Sequence, residues 1–152
     1  MNDHPILICY DGSEDARRAI AATADLLVRR PAVVLEVTPP LTAEEQEAAL
    51  FTPVIPDNIE SRVQDELRIT EKGVREARRL GLEAVDRVDV AAPTWQGVVE
   101  VADEIDAAVI VVGSRGLSGA RELFEGSLSH ELAKRSGRPL LIVPPSHRSV
   151  AP

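Results

Sequence analysis

Residues 107–112, Ala-Ala-Val-Ile-Val-Val, run without a polar side chain into Gly113-Ser114-Arg115-Gly116, and after nine intervening residues comes Gly126-Ser127. An unbroken apolar run of that length reads as a strand buried on both faces, as in a parallel sheet. Its glycine-punctuated exit leads into a helical segment over 127–136. Strand, glycine loop and helix N-terminus in that order restrict the chain to α/β folds. They also form a cradle for an anion such as phosphate: glycine lets the backbone come close, and the free N–H groups of the first helical turn point at the charge. The spacing is G-x2-G-x9-G-[ST].

Strands and helices alternate through the rest of the chain. Residues 6–10 form a first strand, stopped by Asp11-Gly12-Ser13. Ser13 suits a helix N-cap, and Glu14 and Asp15 follow in the first turn, where the helix dipole favours negative charge. That helix is expected to reach about Arg30, turning Ala16, Ala19, Ile20, Thr23, Leu26 and Leu27 inward. Residues 32–37 give a β-branched second strand. Residues 38–58 read as a surface excursion, in which Pro39, Pro40, Pro53 and Pro56 bracket any short helix. A charged helix over 59–80 places Val63, Leu67, Thr70, Val74 and Ala77 inward and stops at Gly81. Residues 83–90 suggest a third strand near a sheet edge, and Pro93 and Thr94 open a helix over 95–105 with Val98, Val101 and Ala102 inward. A last apolar strand covers 140–143.

This order implies a single-domain, doubly wound, five-stranded parallel sheet with helices on both faces, Rossmann-like, over 1–146, with 147–152 as a disordered tail. Ligands of such folds bind beyond the carboxyl ends of the strands, where strand order reverses. Asp11-Gly12-Ser13 and Gly113 would flank one cleft there.

Composition removes several classes of function. The formal net charge of −8 argues against a nucleic-acid partner, whose phosphates need Lys and Arg. One cysteine excludes an intramolecular disulfide and all-cysteine metal cages. No basic stretch precedes an apolar run at the start, and no apolar run approaches the ~18 residues of a membrane span, so a cytoplasmic location is expected. With only 3% aromatic residues, the core must be aliphatic. The chain has no G-x4-G-K-[ST], no G-x-G-x-x-G after its first strand and no G-x-S-x-G.

The glycine–serine spacing resembles the ATP-binding signature of the universal stress protein family. The resemblance extends to the opening Ile8-Cys9-Tyr10-Asp11-Gly12-Ser13-Glu14 and the closing Arg138-Pro139-Leu140-Leu141-Ile142-Val143-Pro144, and so spans nearly the whole chain. It implies an adenine nucleotide alpha-hydrolase-like fold, ATP with Mg²⁺, and a stress-response regulator that hydrolyses ATP slowly at most. It implies that Asp11, with Gly12 and Ser13 in its turn, lies beside the nucleoside and that Val37 lines the adenine pocket. Gly113, Arg115 and Gly116 would wrap the phosphates, which Gly126, Ser127 and Ser129 would meet at the helix start. It also implies a homodimer paired through the last strand.

The chemistry of these residues agrees. Ionised Asp11 could accept hydrogen bonds from a ribose hydroxyl or a metal-bound water; Mg²⁺ would come with ATP, with no protein side chain assigned to it beyond Asp11 as a candidate. Ser127 and Ser129 donate, and Arg115 can bind phosphate bidentately. Without a P-loop lysine or a positioned base, turnover should be slow. The alternatives are a slow ATPase or nucleotidyl-transferring enzyme of the same wider α/β group, and an interaction module with an empty cleft. Asp11-Gly12 alone would also suit a plain turn. Cys9 reads as a buried small hydrophobe, His130 as a surface or packing residue, and Trp95 as core or rim. Tyr10 stands either behind the pocket or across its mouth, and Glu36 puts a charge before the pocket valine.

Overall fold

A computed structural model describes residues 3–51, 57–114 and 128–145. The expected tail falls outside them. Five strands form one parallel sheet: β1 (Ile6–Cys9), β2 (Pro31–Thr38), β3 (Glu83–Val90), β4 (Val109–Gly113) and β5 (Leu140–Val143), in the order β3-β2-β1-β4-β5. The central strand β1 is buried along its whole length, as its unbroken apolar sequence requires. Successive side chains of a strand point to opposite faces, so β1 feeds two cores. Ile6 and Ile8 pack with Ala19, Ile20, Val74 and Ala77 on one face, while Leu7 and Cys9 pack with Val98, Val101 and Leu132 on the other.

The helices follow from that division. The first face carries α1 (Glu14–Leu26) and α3 (Asp57–Arg79), which connect β1 to β2 and β2 to β3. The second carries α4 (Thr94–Glu104) and α5 (Leu128–Arg135), which connect β3 to β4 and β4 to β5. The direction of travel across the sheet and the helical face reverse together, so all crossovers keep one hand. The reversal falls between β1 and β4.

Two expectations need correction. The first helix ends at Leu26, not near Arg30, and Leu26 is 66% exposed. Pro31 already opens β2, and a residue before proline is biased to extended backbone, so the chain straightens early. In α3, Thr70, Val74 and Ala77 are buried as expected, but Val63 and Leu67 are 48% and 43% exposed. A 23-residue helix is roughly 34 Å long at 1.5 Å per residue. The eight residues of β3 span only about 26 Å, so α3 is longer than the strand it precedes by about 8 Å, or one and a half turns. The excursion after β2 contains a nine-residue helix, α2 (Ala43–Phe51), with no buried residue; Arg62 of α3 holds it through Glu45 at 3.4 Å. Gly81 does end α3: its φ is +90°, and Leu82 N–H donates to the Ala77 carbonyl at 3.0 Å.

Candidate functional site

A cleft opens over the carboxyl ends of β1, β2 and β4, where strand order reverses. Its empty space is about 380 Å³, including volume open to solvent. Leu35, Val37, Val98, Val112 and Leu128 make an apolar floor, and Asp11, Ser13, Asp15 and Thr94 supply polar groups. Every helix that follows a strand starts at this end of the sheet. Consequently α1, α4 and α5 each contribute a residue of their first turn or cap.

Asp11 is set by the turn behind β1. Tyr10 N–H still bonds the Leu35 carbonyl at 2.8 Å, as if the strand continued. Asp11 Oδ1 then accepts from Ser13 N–H at 2.9 Å, with Gly12 at φ +81°. Ser13 Oγ accepts from Ala16 N–H at 3.1 Å, the N-cap that the sequence indicates. Across the cleft, β4 comes so close to α1 that a Cβ at Gly113 would lie 3.0 Å from Asp15 Cβ and 3.1 Å from its carbonyl carbon and oxygen. Only glycine fits there without moving the helix.

The structure therefore brings together Asp11, Ser13, Val37 and Gly113 of the residues singled out above. Val37 is 7% exposed at the end of β2. Gly12 faces a second, more polar groove between α1 and α3, with Arg17, Ile69, Lys72 and Glu76. Ser129 lies in the first turn of α5, partly buried, beside Leu128 of the cleft floor. Arg115, Gly116, Gly126 and Ser127 lie outside the described residues. Sequence reasoning missed Thr94, Asp15 and Leu128 as cleft residues. The rule that helices of a parallel sheet begin at the strands' carboxyl ends would have pointed to Thr94 and Leu128.

Tyr10 is 5% exposed, lines both the cleft and the second groove, and packs into the α1/α3 core. A Cβ on Gly73 of α3 would lie 2.8 Å from its ring, so that mid-helix glycine is the space the ring occupies. Cys9 is buried as expected, and burial pushes its thiol up to about 12, leaving it protonated and inert at neutral pH. Trp95 packs against the second core with the Arg135 guanidinium 4.6 Å from its ring centre.

Glu36 is the unusual group. It points to the α3 face of β2, is 8% exposed, and has its Oε2 buried without a hydrogen-bond partner among the described residues. Burial first, then the nearby Glu66 and Asp11 carboxylates, raise its pKa to about 7.

Comparison with known proteins agrees with this architecture. The chain is 31% identical over 144 residues to the Bacillus subtilis universal stress protein YxiE, covering 91% of this chain and 97% of that one. The solved structure of the hypothetical protein MJ0577 superposes with a TM-score of 0.74 at 22% identity, covering 97% of this chain and 99% of the other. The universal stress protein from Archaeoglobus fulgidus, solved in complex with dAMP, superposes with a TM-score of 0.65 at 22% identity, covering 94% and 99%. The sequence profile of the universal stress protein family matches residues 4–144. The chain belongs to the universal stress protein family.

Proposed function

We propose that the cleft binds an adenine nucleotide, and that the protein acts as a nucleotide-responsive regulator rather than as a fast enzyme. The observation that carries this reading is the apolar floor of Leu35, Val37 and Val112 between Asp11 and Gly113, at the point where strand order reverses. A planar purine suits that floor. Asp11 suits a ribose hydroxyl. The Archaeoglobus relative solved with dAMP supports the same ligand class.

ATP with Mg²⁺ is the specific ligand proposed. Arg115, Gly116, Gly126, Ser127 and Ser129 would hold its phosphates, and Mg²⁺ would arrive with them, with Asp11 the carboxylate placed to meet a metal-bound water. When bound, the ion would neutralise phosphate charge. The residues that line the described cleft include no lysine and no histidine, so slow turnover goes with this reading. A homodimer paired through β5 and a cytoplasmic location belong to the same proposal. The edge strand β5 is short and wholly apolar, with Ile142 44% exposed, and an unpaired apolar edge favours a second copy.

Thermal unfolding tests the binding. At a hundredfold excess over Kd, ligand that binds only the folded state stabilises it by about 2.7 kcal/mol. That should raise Tm by roughly 5–10 °C. Gly116→Val and Gly126→Val should abolish the shift with circular dichroism intact. A Tm unchanged at millimolar nucleotide would contradict the reading. Light scattering should give a dimer for the wild type, and Ile142→Lys should shift it to monomer; a wild-type monomer at high concentration would remove the dimer proposal.

A further inference from the structure

The groove between α1 and α3 holds about 430 Å³ that water can enter, within the range of small-molecule sites. Tyr10, Asp11, Arg17, Ile69, Lys72 and Glu76 line it. The turn at one end is pressed against α3: a Cβ on Gly12 would lie 3.3 Å from Ile69 Cγ2.

The cations of this groove are uncommitted. Arg17 comes from α1 and Lys72 from α3, and neither side chain is in an ion pair or a hydrogen bond among the described residues. On the same two helices Arg18, Arg62 and Arg79 each have a carboxylate partner. Glu76 is already held bidentately by Arg79, at 2.7 and 2.9 Å. Arg17 and Lys72 therefore stand against Asp11 alone, which leaves the groove with one positive charge in a chain whose formal net charge is −8.

Tyr10 adds a neutral donor. It is 5% exposed, and a polar group so buried ordinarily has a partner. Its hydroxyl makes no hydrogen bond among the described residues, yet it is not one of the side-chain oxygens sealed from solvent. Arg17, Asp11 and Glu76, which act on it electrostatically, all line the groove, and its ring lies over Gly73 of α3. The hydroxyl therefore opens on this side. Burial raises its pKa, with Arg17 opposing, so the phenol stays a protonated donor at neutral pH.

We propose that this groove is a second binding site, for a small organic monocarboxylate. Arg17 and Lys72 clamp the carboxylate, the Tyr10 hydroxyl donates to it, and Ile69 with the Tyr10 ring covers the apolar body. One negative charge matches the groove, whereas Asp11 and Glu76 repel a second, which disfavours a phosphate dianion. The site stands whether or not the cleft takes a nucleotide.

Backbone-amide NMR titration of the full chain with benzoate, benzamide and inorganic phosphate tests this. Benzoate should bind saturably with a Kd on the order of millimolar, shifting the amides of Gly12, Ile69 and Gly73. Benzamide, its uncharged counterpart, and phosphate should bind at least about tenfold more weakly. Arg17→Gln and Lys72→Gln, at exposed positions, should each weaken benzoate about fivefold or more, and Tyr10→Phe by a smaller factor. If Tyr10→Phe does not fold, the two surface variants decide. Benzamide binding as tightly as benzoate overturns the proposal, as does benzoate affinity unchanged when Arg17→Gln and Lys72→Gln are combined. Shifts confined to cleft residues such as Val37 and Gly113, or no saturation well above millimolar benzoate, overturn it equally. Phosphate binding more tightly than benzoate overturns the assignment to a monocarboxylate.

Discussion

Asp11 and Glu36 are carboxylates at the same end of neighbouring strands, and the structure treats them in opposite ways. Asp11 stands in a turn at the cleft, partly exposed, with Ser13 N–H bonded to its Oδ1. Glu36 lies one face away under α3, 8% exposed, with one oxygen unpaired and two carboxylates as neighbours. Partial exposure and a backbone donor leave the first available as an acceptor. Their loss pushes the second towards the neutral acid near pH 7. Residue type and position along the sheet are alike, so solvent and partners decide which carboxylate can serve a ligand.

The largest effect expected from this contrast is on stability. The folded pKa of Glu36, about 7, lies above its ordinary value of 4.5. The contribution of the neutral acid is therefore fully present below about pH 4.5 and is lost as pH rises through about 7. Glu36→Gln, which stays neutral, should be more stable than the wild type at pH 8–9 by an amount on the order of 2–3 kcal/mol, and should show little difference near pH 4. Urea unfolding at both pH values checks this. Equal stabilities at pH 8–9 would mean that Glu36 is solvated and that the contrast with Asp11 is false.

Next comes Asp11→Ala. A charge-assisted hydrogen bond contributes roughly 1.5–3 kcal/mol, so adenine-nucleotide affinity should fall about ten- to a hundredfold, while loss of the bond from Ser13 N–H lowers Tm of the free protein by a few degrees at most. Titration of both proteins measures it. Unchanged affinity would remove Asp11 from the site.

The smallest effect is that of Glu66→Gln. Removing one of the charges that raise Glu36 should shift the midpoint of its pH-dependent stability downward by a fraction of a unit, worth about 0.5 kcal/mol or less at pH 8. The sharper version measures Glu66→Gln in the Glu36→Gln background, where the shift should vanish.

Much of this was legible in the chain. The parallel five-stranded sheet followed from alternation, and the Ser13 cap and the Gly81 stop were read from single residues whose backbone roles are local. The cleft's position followed because a parallel sheet places all its turns of that kind at one end. What failed was anything set by how far an element extends past its neighbour. Val63 and Leu67 keep helical periodicity with Thr70 and Val74, yet they stay exposed. Glu36 was visible as a charge in an apolar strand, but its lack of a partner depends on α3 covering it. Asp15 was explained as a favourable charge at a helix start. Its place against Gly113, nearly a hundred residues on, appears only in the fold.

The central claim is that this cleft takes an adenine nucleotide, and titration calorimetry of the wild-type protein with AMP and with Mg-ATP addresses it directly. The account predicts saturable binding at one site per chain, with Kd on the order of micromolar to tens of micromolar for at least one of the two ligands. No heat of binding together with no thermal shift at millimolar concentrations of either ligand would contradict it.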